Sequence, residues 1–376
     1  MINHTDKFYK KQFDNINIII NDDNSNIIIN DDNSNLSYII DLIKTYFGLN
    51  QFLIKIKDDF ELLKKFIIKC EIEFDLFNNI KNNINKMCKG NYKVTYCLEY
   101  KLILILHLKN DFANWKSLNK CIFYEPNKTT KDHYKTIYRQ YRYWSSKGIF
   151  KQAFYDTVPV NNNIINDSDS DIANDDFFII DSKKDLFIDA TFISNKYGSE
   201  DVVINPELTK KNVTKLTTIS DVDGFIMALS LSKSKDKIII YNNSKKQIKT
   251  ANHDVELIQQ VLNECNPNIK IFNDINKLTL IGDKGYKTDK KFFLKNELIT
   301  IISPNKKNQK NNMINRHQKR KLGYRFIIEN SINGFKQNSR ISVRKDRKSN
   351  TFMSWVYISC LSHNLKINKK VISRIN

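Results

Sequence analysis

The stretch Lys321-Leu322-Gly323-Tyr324-Arg325-Phe326-Ile327-Ile328-Glu329-Asn330-Ser331-Ile332-Asn333-Gly334-Phe335-Lys336 decides how the rest of the chain is read. At 3.6 residues per turn it sets Arg325, Glu329, Ile332 and Lys336 along one stripe of a helix, with Ile328, Ile332 and Phe335 as an apolar edge for a core. One carboxylate then lies between two cations on a helix anchored by its apolar side. Two aspartates follow runs that read as strands: Asp189 after Asp185-Leu186-Phe187-Ile188, and Asp283 after Leu278-Thr279-Leu280-Ile281-Gly282. Three carboxylates on two strands and a helix form a donor set for hard divalent cations, which activate water and neutralise a phosphate in transfer. Spacing leaves another reading open in a chain with 41 acidic residues: a surface i,i+4 pair of Arg325 and Glu329 beside two ordinary strand-end aspartates.

Taken together, Asp189-Ala190-Thr191, Gly282-Asp283-Lys284-Gly285-Tyr286, and Arg325 followed after three residues by Glu329 and after six more by Lys336 resemble the signature of bacterial-type insertion-sequence transposases of the DDE class. The likeness spans residues 185–365, with a weaker echo at 131–151. It implies an α/β fold, a ribonuclease-H-like mixed sheet flanked by helices, preceded by a mainly helical N-terminal module. By this resemblance Asp189, Asp283 and Glu329 match the first, second and third catalytic carboxylates, and Arg325 and Lys336 the basic companions of the third. The family's chemistry then implies two Mg²⁺ ions held by the three acids, with Mn²⁺ as a substitute. It also implies metal-dependent cleavage of double-stranded DNA at terminal inverted repeats and strand transfer into target DNA, by a homodimer or higher oligomer. The family's tyrosine, three positions before the arginine, is replaced by Leu322, with Tyr324 close by. Asn252-His253-Asp254 resembles the family's segment between the first two carboxylates, where a helix begins. Two alternatives stand beside this reading: a metal-dependent nuclease without strand transfer, and an inactive domesticated DNA-binding protein.

Composition agrees with a polyanionic partner. The 376 residues carry a formal charge of +20, and 41% are hydrophobic, enough for a sizeable core. Cys70, Cys88, Cys97, Cys121, Cys265 and Cys360 show no paired short spacings, so neither a zinc ribbon nor a secreted disulfide framework is expected. No apolar run reaches the length of a membrane span. The simplest setting is a reducing intracellular compartment, at DNA.

Residues 1–35 hold two copies of Asn-Asp-Asp-Asn-Ser-Asn, at 21–26 and 30–35, and read as a low-complexity extension. Residues 36–160 read as a helical module for DNA binding or dimerisation. Apolar spacing predicts helices through Leu36–Phe47, Phe60–Ile67 and Phe74–Ile84, while Leu102–Leu108 suits either a buried helix or a strand. Tyr134–Gly148 predicts a further helix with Lys135, Arg139 and Arg142 available to phosphate, an aromatic stripe behind them, and Gly148 as its stop. Residues 161–181 are acidic and polar, a linker.

The catalytic domain is expected over residues 182–370. It begins with the stretch 184–193 and continues through strands 215–220, 229–231, 238–241, 278–282 and 298–302, with Asp223-Gly224 as a hairpin turn and a helix capped by Asn252 or Thr250. Asp221 is a rival to Asp283 but belongs to that hairpin. Lys306, Lys307, Lys310, Arg316, Lys319, Arg320 and Lys321 form an acid-free basic interval before the key helix, and Arg344 and Arg347 extend it. Such a field suits a DNA phosphate track, a localisation signal or a solvated loop. A final buried helix is expected around Phe352–Leu361.

Overall fold

The computed structural model describes residues 60–88, 98–110, 115–120, 133–158, 185–204, 212–241, 244–265, 278–294, 296–305 and 314–375. The expected extension, the helix through Leu36–Phe47, the acidic linker and the candidate contacts Lys306, Lys307 and Lys310 lie outside them.

Helices α1 (Phe60–Met87), α2 (Leu98–Asn110), α3 (His133–Ser146) and α4 (Ile149–Thr157) come first. Strands β1 (Asp185–Asn195), β2 (Val203–Ile204), β3 (Asn212–Ser220), β4 (Ile226–Leu231), β5 (Ser234–Tyr241) and β6 (Ser244–Ala251) follow, then α5 (Asp254–Asn263). The chain continues through β7 (Leu278–Ile281), β8 (Phe292–Leu294), β9 (Glu297–Ile302), α6 (Arg316–Gly323), α7 (Phe326–Lys336), α8 (Ser339–Ser342), β10 (Val343–Arg344) and α9 (Ser349–Ile375).

β1 lies at the centre of a mixed sheet because Leu186, Phe187 and Ile188 are all buried, the continuous apolar run of a strand covered on both faces. It pairs antiparallel with β3, and β3 in turn with β4. On its other side β1 pairs parallel with β7, β7 parallel with β9, and β9 antiparallel with β8. The order β4-β3-β1-β7-β9 therefore joins an antiparallel half to a parallel half. The hairpin turn expected at Asp223-Gly224 forms, with Gly224 at φ 87°. Strand 238–241 does not extend this sheet: it belongs to β5, which pairs with β6 in a separate two-stranded sheet. α5 is capped by His253, whose side chain accepts from the Val255 amide, in place of Asn252 or Thr250.

The two helices expected within 60–84 are one continuous helix, since no Gly or Pro interrupts α1. The run Leu102–Leu108 is helical within α2, with Leu102, Leu104, Ile105, Leu106 and Leu108 buried. Gly148, at φ 72°, ends α3 and starts α4, a helix not anticipated from the sequence. Trp115, Tyr141 and Trp355 pack together, and the Tyr141 hydroxyl donates to the Thr351 carbonyl of α9. Through α9 the N-terminal helices and the sheet share one apolar core.

The key stretch is two helices where one was expected. α6 ends at Gly323, the chain turns through Tyr324, and Arg325 is the N-cap of α7. Amides of Tyr324, Arg325 and Ile327 bond three residues back, the tight spacing of a helix terminus. The apolar edge is retained, with Ile328, Ile332 and Phe335 buried on the helix that packs against β1, β3 and α9.

Candidate functional site

β1 and β7 pair as Asp185↔Thr279, Leu186↔Leu280 and Phe187↔Ile281. The same offset carried two residues further sets Asp189 beside Asp283. β7 has ended there, and the Asp283 side chain caps the 3₁₀ turn Lys284–Tyr286, its Oδ1 accepting from the Gly285 amide at 2.8 Å. Asp189 stays within β1, half-buried, with Oδ1 accepting from the Ala190 amide at 2.8 Å.

α7 brings the third acid and the two cations to these strand positions. The Lys336 Nζ donates to Thr191 Oγ1 at 2.9 Å, and Thr191 is on the same face of β1 as Asp189. Arg325 Nη2 stands 3.4 Å from Glu329 Oε1 at the other end of the helix, and the Glu329 side chain is 52% exposed. Burial pushes the Asp189 carboxyl up to about 6; the Ala190 amide and Arg325 oppose that rise, and the charges of Asp283 and Glu329 add to it. Those influences put Asp189, Asp283, Glu329 and Arg325 in one electrostatic neighbourhood. Burial also lowers the Lys336 ammonium.

The donor set is chemically suited to a divalent ion, because it offers carboxylate oxygens, the ligands that hard cations take. As the side chains stand, no three His, Cys, Asp or Glu among the described residues converge closely enough to enclose an ion. Glu329 is turned toward Arg325 and solvent. Asp221 serves the backbone instead, its Oδ1 accepting from the amides of Asp223 and Phe225 and holding the β3–β4 turn.

The expected basic contacts divide. Lys135, Arg139 and Arg142 are exposed on α3. Arg139 and Arg142 line an open groove of about 320 Å³ with Tyr143, Ser146, Lys348, Asn350 and Thr351. Arg316 and Lys319 are exposed on α6, Arg320 is half-exposed there, and Arg347 is exposed before α9. Lys321 and Arg344 are corrections to the expected DNA-facing set. Lys321 is 9% exposed, and its Nζ lies 2.7 Å from Oδ1 of the fully buried Asp185. Arg344 is fully buried, donating to Thr214 Oγ1 at 2.9 Å and to the carbonyls of Asp346 and Arg347. Each is consumed by a partner distant in sequence or by its own turn, and presents no surface to a phosphate.

Asp254, Lys215 and Tyr286 border the site and were not singled out as site residues. Asp254 reads locally as an ordinary acid in the first turn of a helix, and the likeness of Asn252-His253-Asp254 to a family segment gives it no role in the site.

No helix among the described residues is long and apolar enough to cross a membrane. No family model and no curated protein sequence matches the chain. Among solved structures it is similar to a piggyBac transposase in a synaptic complex with hairpin DNA, determined by cryo-electron microscopy. The identity is 9% and the TM-score 0.41, over 80% of this chain and 73% of that chain. A likeness so distant assigns neither family nor activity.

Proposed function

We propose that the chain is a DDE-type DNA transposase with a ribonuclease-H-like catalytic domain over residues 182–370. What carries this reading is that Asp189 on β1 and Asp283, two residues past the end of β7, continue the register of the β1–β7 pair and share one electrostatic neighbourhood with Glu329 and Arg325, while Lys336 of α7 reaches Thr191 on β1. The strand order β4-β3-β1-β7-β9 supports it, because carboxylates then gather at adjacent strands near the sheet's change from antiparallel to parallel.

In this reading Asp189, Asp283 and Glu329 hold two Mg²⁺ ions, or Mn²⁺ in their place. When bound, such ions activate the attacking hydroxyl and offset charge on the leaving oxygen of a phosphodiester. Arg325 holds Glu329 at the mouth of the site and turns its remaining donors to phosphate, while Lys336 contributes charge from the Thr191 side. The α3 groove, with Arg139, Arg142 and Lys348, and the exposed face of α6 carry the DNA backbone. Lys306, Lys307 and Lys310 belong to the same proposed track. A homodimer or higher oligomer pairs two element ends, and target DNA is the second substrate.

The test begins with the DNA flanking the coding sequence, where inverted repeats bracketed by a short target duplication are expected. Duplexes carrying those ends, incubated with purified protein, Mg²⁺ and a supercoiled plasmid, should be cut at the repeat and joined to the plasmid. Cutting without joining would select the nuclease alternative, and specific binding without cutting the domesticated one.

A further inference from the structure

A fourth carboxylate lies against the site. Asp254 opens α5, and its Oδ1 is 2.5 Å from the Nζ of buried Lys215 on β3, which also donates to the Asn252 carbonyl. With Oδ1 occupied, Oδ2 faces the turn that Asp283 caps. A Cβ placed on Gly285 would stand 2.7 Å from Asp254 Oδ2 and 2.9 Å from Asp283 Oδ1. The two carboxylates thus border the volume that a single methyl group would fill. Like charges so placed repel unless a cation is shared.

Tyr286 supplies an independent observation. It is 1% exposed, and its Oη is buried with no hydrogen-bond partner among the described residues. A Cβ on Gly282 would meet Tyr286 Cδ2 at 2.8 Å and Ile188 Cγ2 at 3.0 Å, so the ring covers the β7 exit beside the residue preceding Asp189. Burial raises its phenol well above the ordinary range, and the charges of Asp254, Asp189 and Asp283 raise it further. The hydroxyl is therefore a neutral donor in an acidic surround. A buried polar group left without a partner is uncommon and marks a place for water or ligand to complete it.

Resting on the site reading above, we propose that Asp254 is a positioning residue which, aligned by Lys215, strengthens divalent-cation binding at Asp283 across Gly285, with Tyr286 Oη as the donor to the bound ion's surroundings. Hard cations take oxygen ligands, and residues that orient or charge-support a ligand commonly change metal affinity by about 10–100-fold. The ligand class is a divalent cation, and the residues are Asp254, Lys215, Gly285 and Tyr286.

Mn²⁺ titration of the full chain without DNA, followed by calorimetry and by electron paramagnetic resonance, tests this separately from cleavage. Asp254→Asn should weaken Mn²⁺ binding by about 10–100-fold and broaden the bound-Mn²⁺ signal. Gly285→Ala should weaken it as well, because the added methyl must displace the two carboxylates that border it. Tyr286→Phe should have a smaller effect in the same direction. If Asp254→Asn fails to fold, Asp254→Glu, which keeps the charge but shifts the carboxylate from its place beside Lys215 and Gly285, decides in its stead and should also weaken binding. Unchanged isotherms in the folded Asp254 and Gly285 variants, with binding lost in Asp283→Asn, would overturn the role of Asp254 and leave the site reading in place. Unchanged binding in Asp283→Asn and Asp189→Asn as well would overturn both.

Discussion

At the scale of single residues, Asp189 is the acid on which the proposed chemistry rests. Its carboxyl is held up to about 6 by burial and by two acidic neighbours, against one amide and one guanidinium. If the proposed function holds, Asp189→Asn and Asp283→Asn should each abolish Mg²⁺-dependent cleavage and leave DNA affinity within about threefold, because in that reading the two acids would supply charge to metal and not contact bases. Gel assays of cutting, paired with binding isotherms, check this; substantial cleavage by either variant would remove that residue from the site. Asp221→Asn is the control and should retain most activity, since an asparagine oxygen can still accept the amides of Asp223 and Phe225. Glu329 contributes little to the fold, being half-exposed and as far as 3.4 Å from Arg325. Glu329→Gln should therefore keep the metal-free melting temperature while losing cleavage and most of the rise in melting temperature that Mn²⁺ gives the parent. An undiminished metal-induced rise would count against Glu329 as a ligand.

Between elements, two polar long-range contacts tie α6 and α7 to the sheet, beside the apolar edge of α7. Lys321 ties α6 to the start of β1 through Asp185, which has no exposure to water. Removing one partner of a buried pair leaves an uncompensated charge, so Lys321→Met should cost about 3–5 kcal/mol. The double variant Lys321→Met, Asp185→Leu should recover most of that loss in urea unfolding. A second junction is Gly224, whose carbonyl accepts from Ser331 Oγ of α7 at 2.9 Å and lies 3.1 Å from His363 Nε2 of α9. Its φ of 87° is in the left-handed region, and an added Cβ would lie 2.8 Å from Ser331 Oγ. Gly224→Ala should lower stability by about 1–3 kcal/mol through backbone strain and displacement of Ser331. The same urea melts measure it, and a neutral result would show that this turn does not tie the hairpin to α7.

Over the whole molecule, a charge of +20 is a statement about partners more than about fold. The described exposed cations include Arg139, Arg142 and Lys348 around one groove and Arg316 and Lys319 on α6. Neutralising Arg139, Arg142 and Lys348 together should weaken binding to end-containing and random duplexes by a similar factor. It should also flatten the dependence of log K on log salt by up to about three units, near 0.9 for each phosphate no longer neutralised. Isotherms across a salt series check this, and an unchanged slope would mean the groove is merely solvated. Lys321→Met, by contrast, should leave the slope alone in the folded fraction, because that cation faces Asp185.

The sequence by itself determined the parts with local periodicity. The apolar runs before Asp189 and Asp283 require buried strands, the edge Ile328, Ile332 and Phe335 requires a packed helix, and Gly148 and Gly224 stand where the backbone turns left-handed. Side-chain direction repeats every two residues in a strand and every 3.6 in a helix, so faces are legible from neighbours alone. Register is not, because it depends on which distant strand is paired: the β1–β7 alignment, which runs to Phe187↔Ile281, is what leads residues 189 and 283 toward neighbouring positions. The fate of a charge is equally non-local. Lys321 and Arg344 belong to basic runs, yet partners 136 and 130 residues away take them into the interior, since a buried cation is tolerated where the fold supplies its acceptors. The same physics governs Asp254: the motif Asn252-His253-Asp254 marks where a helix begins, but only packing sets this first-turn acid beside Asp283 and within electrostatic reach of the Tyr286 hydroxyl.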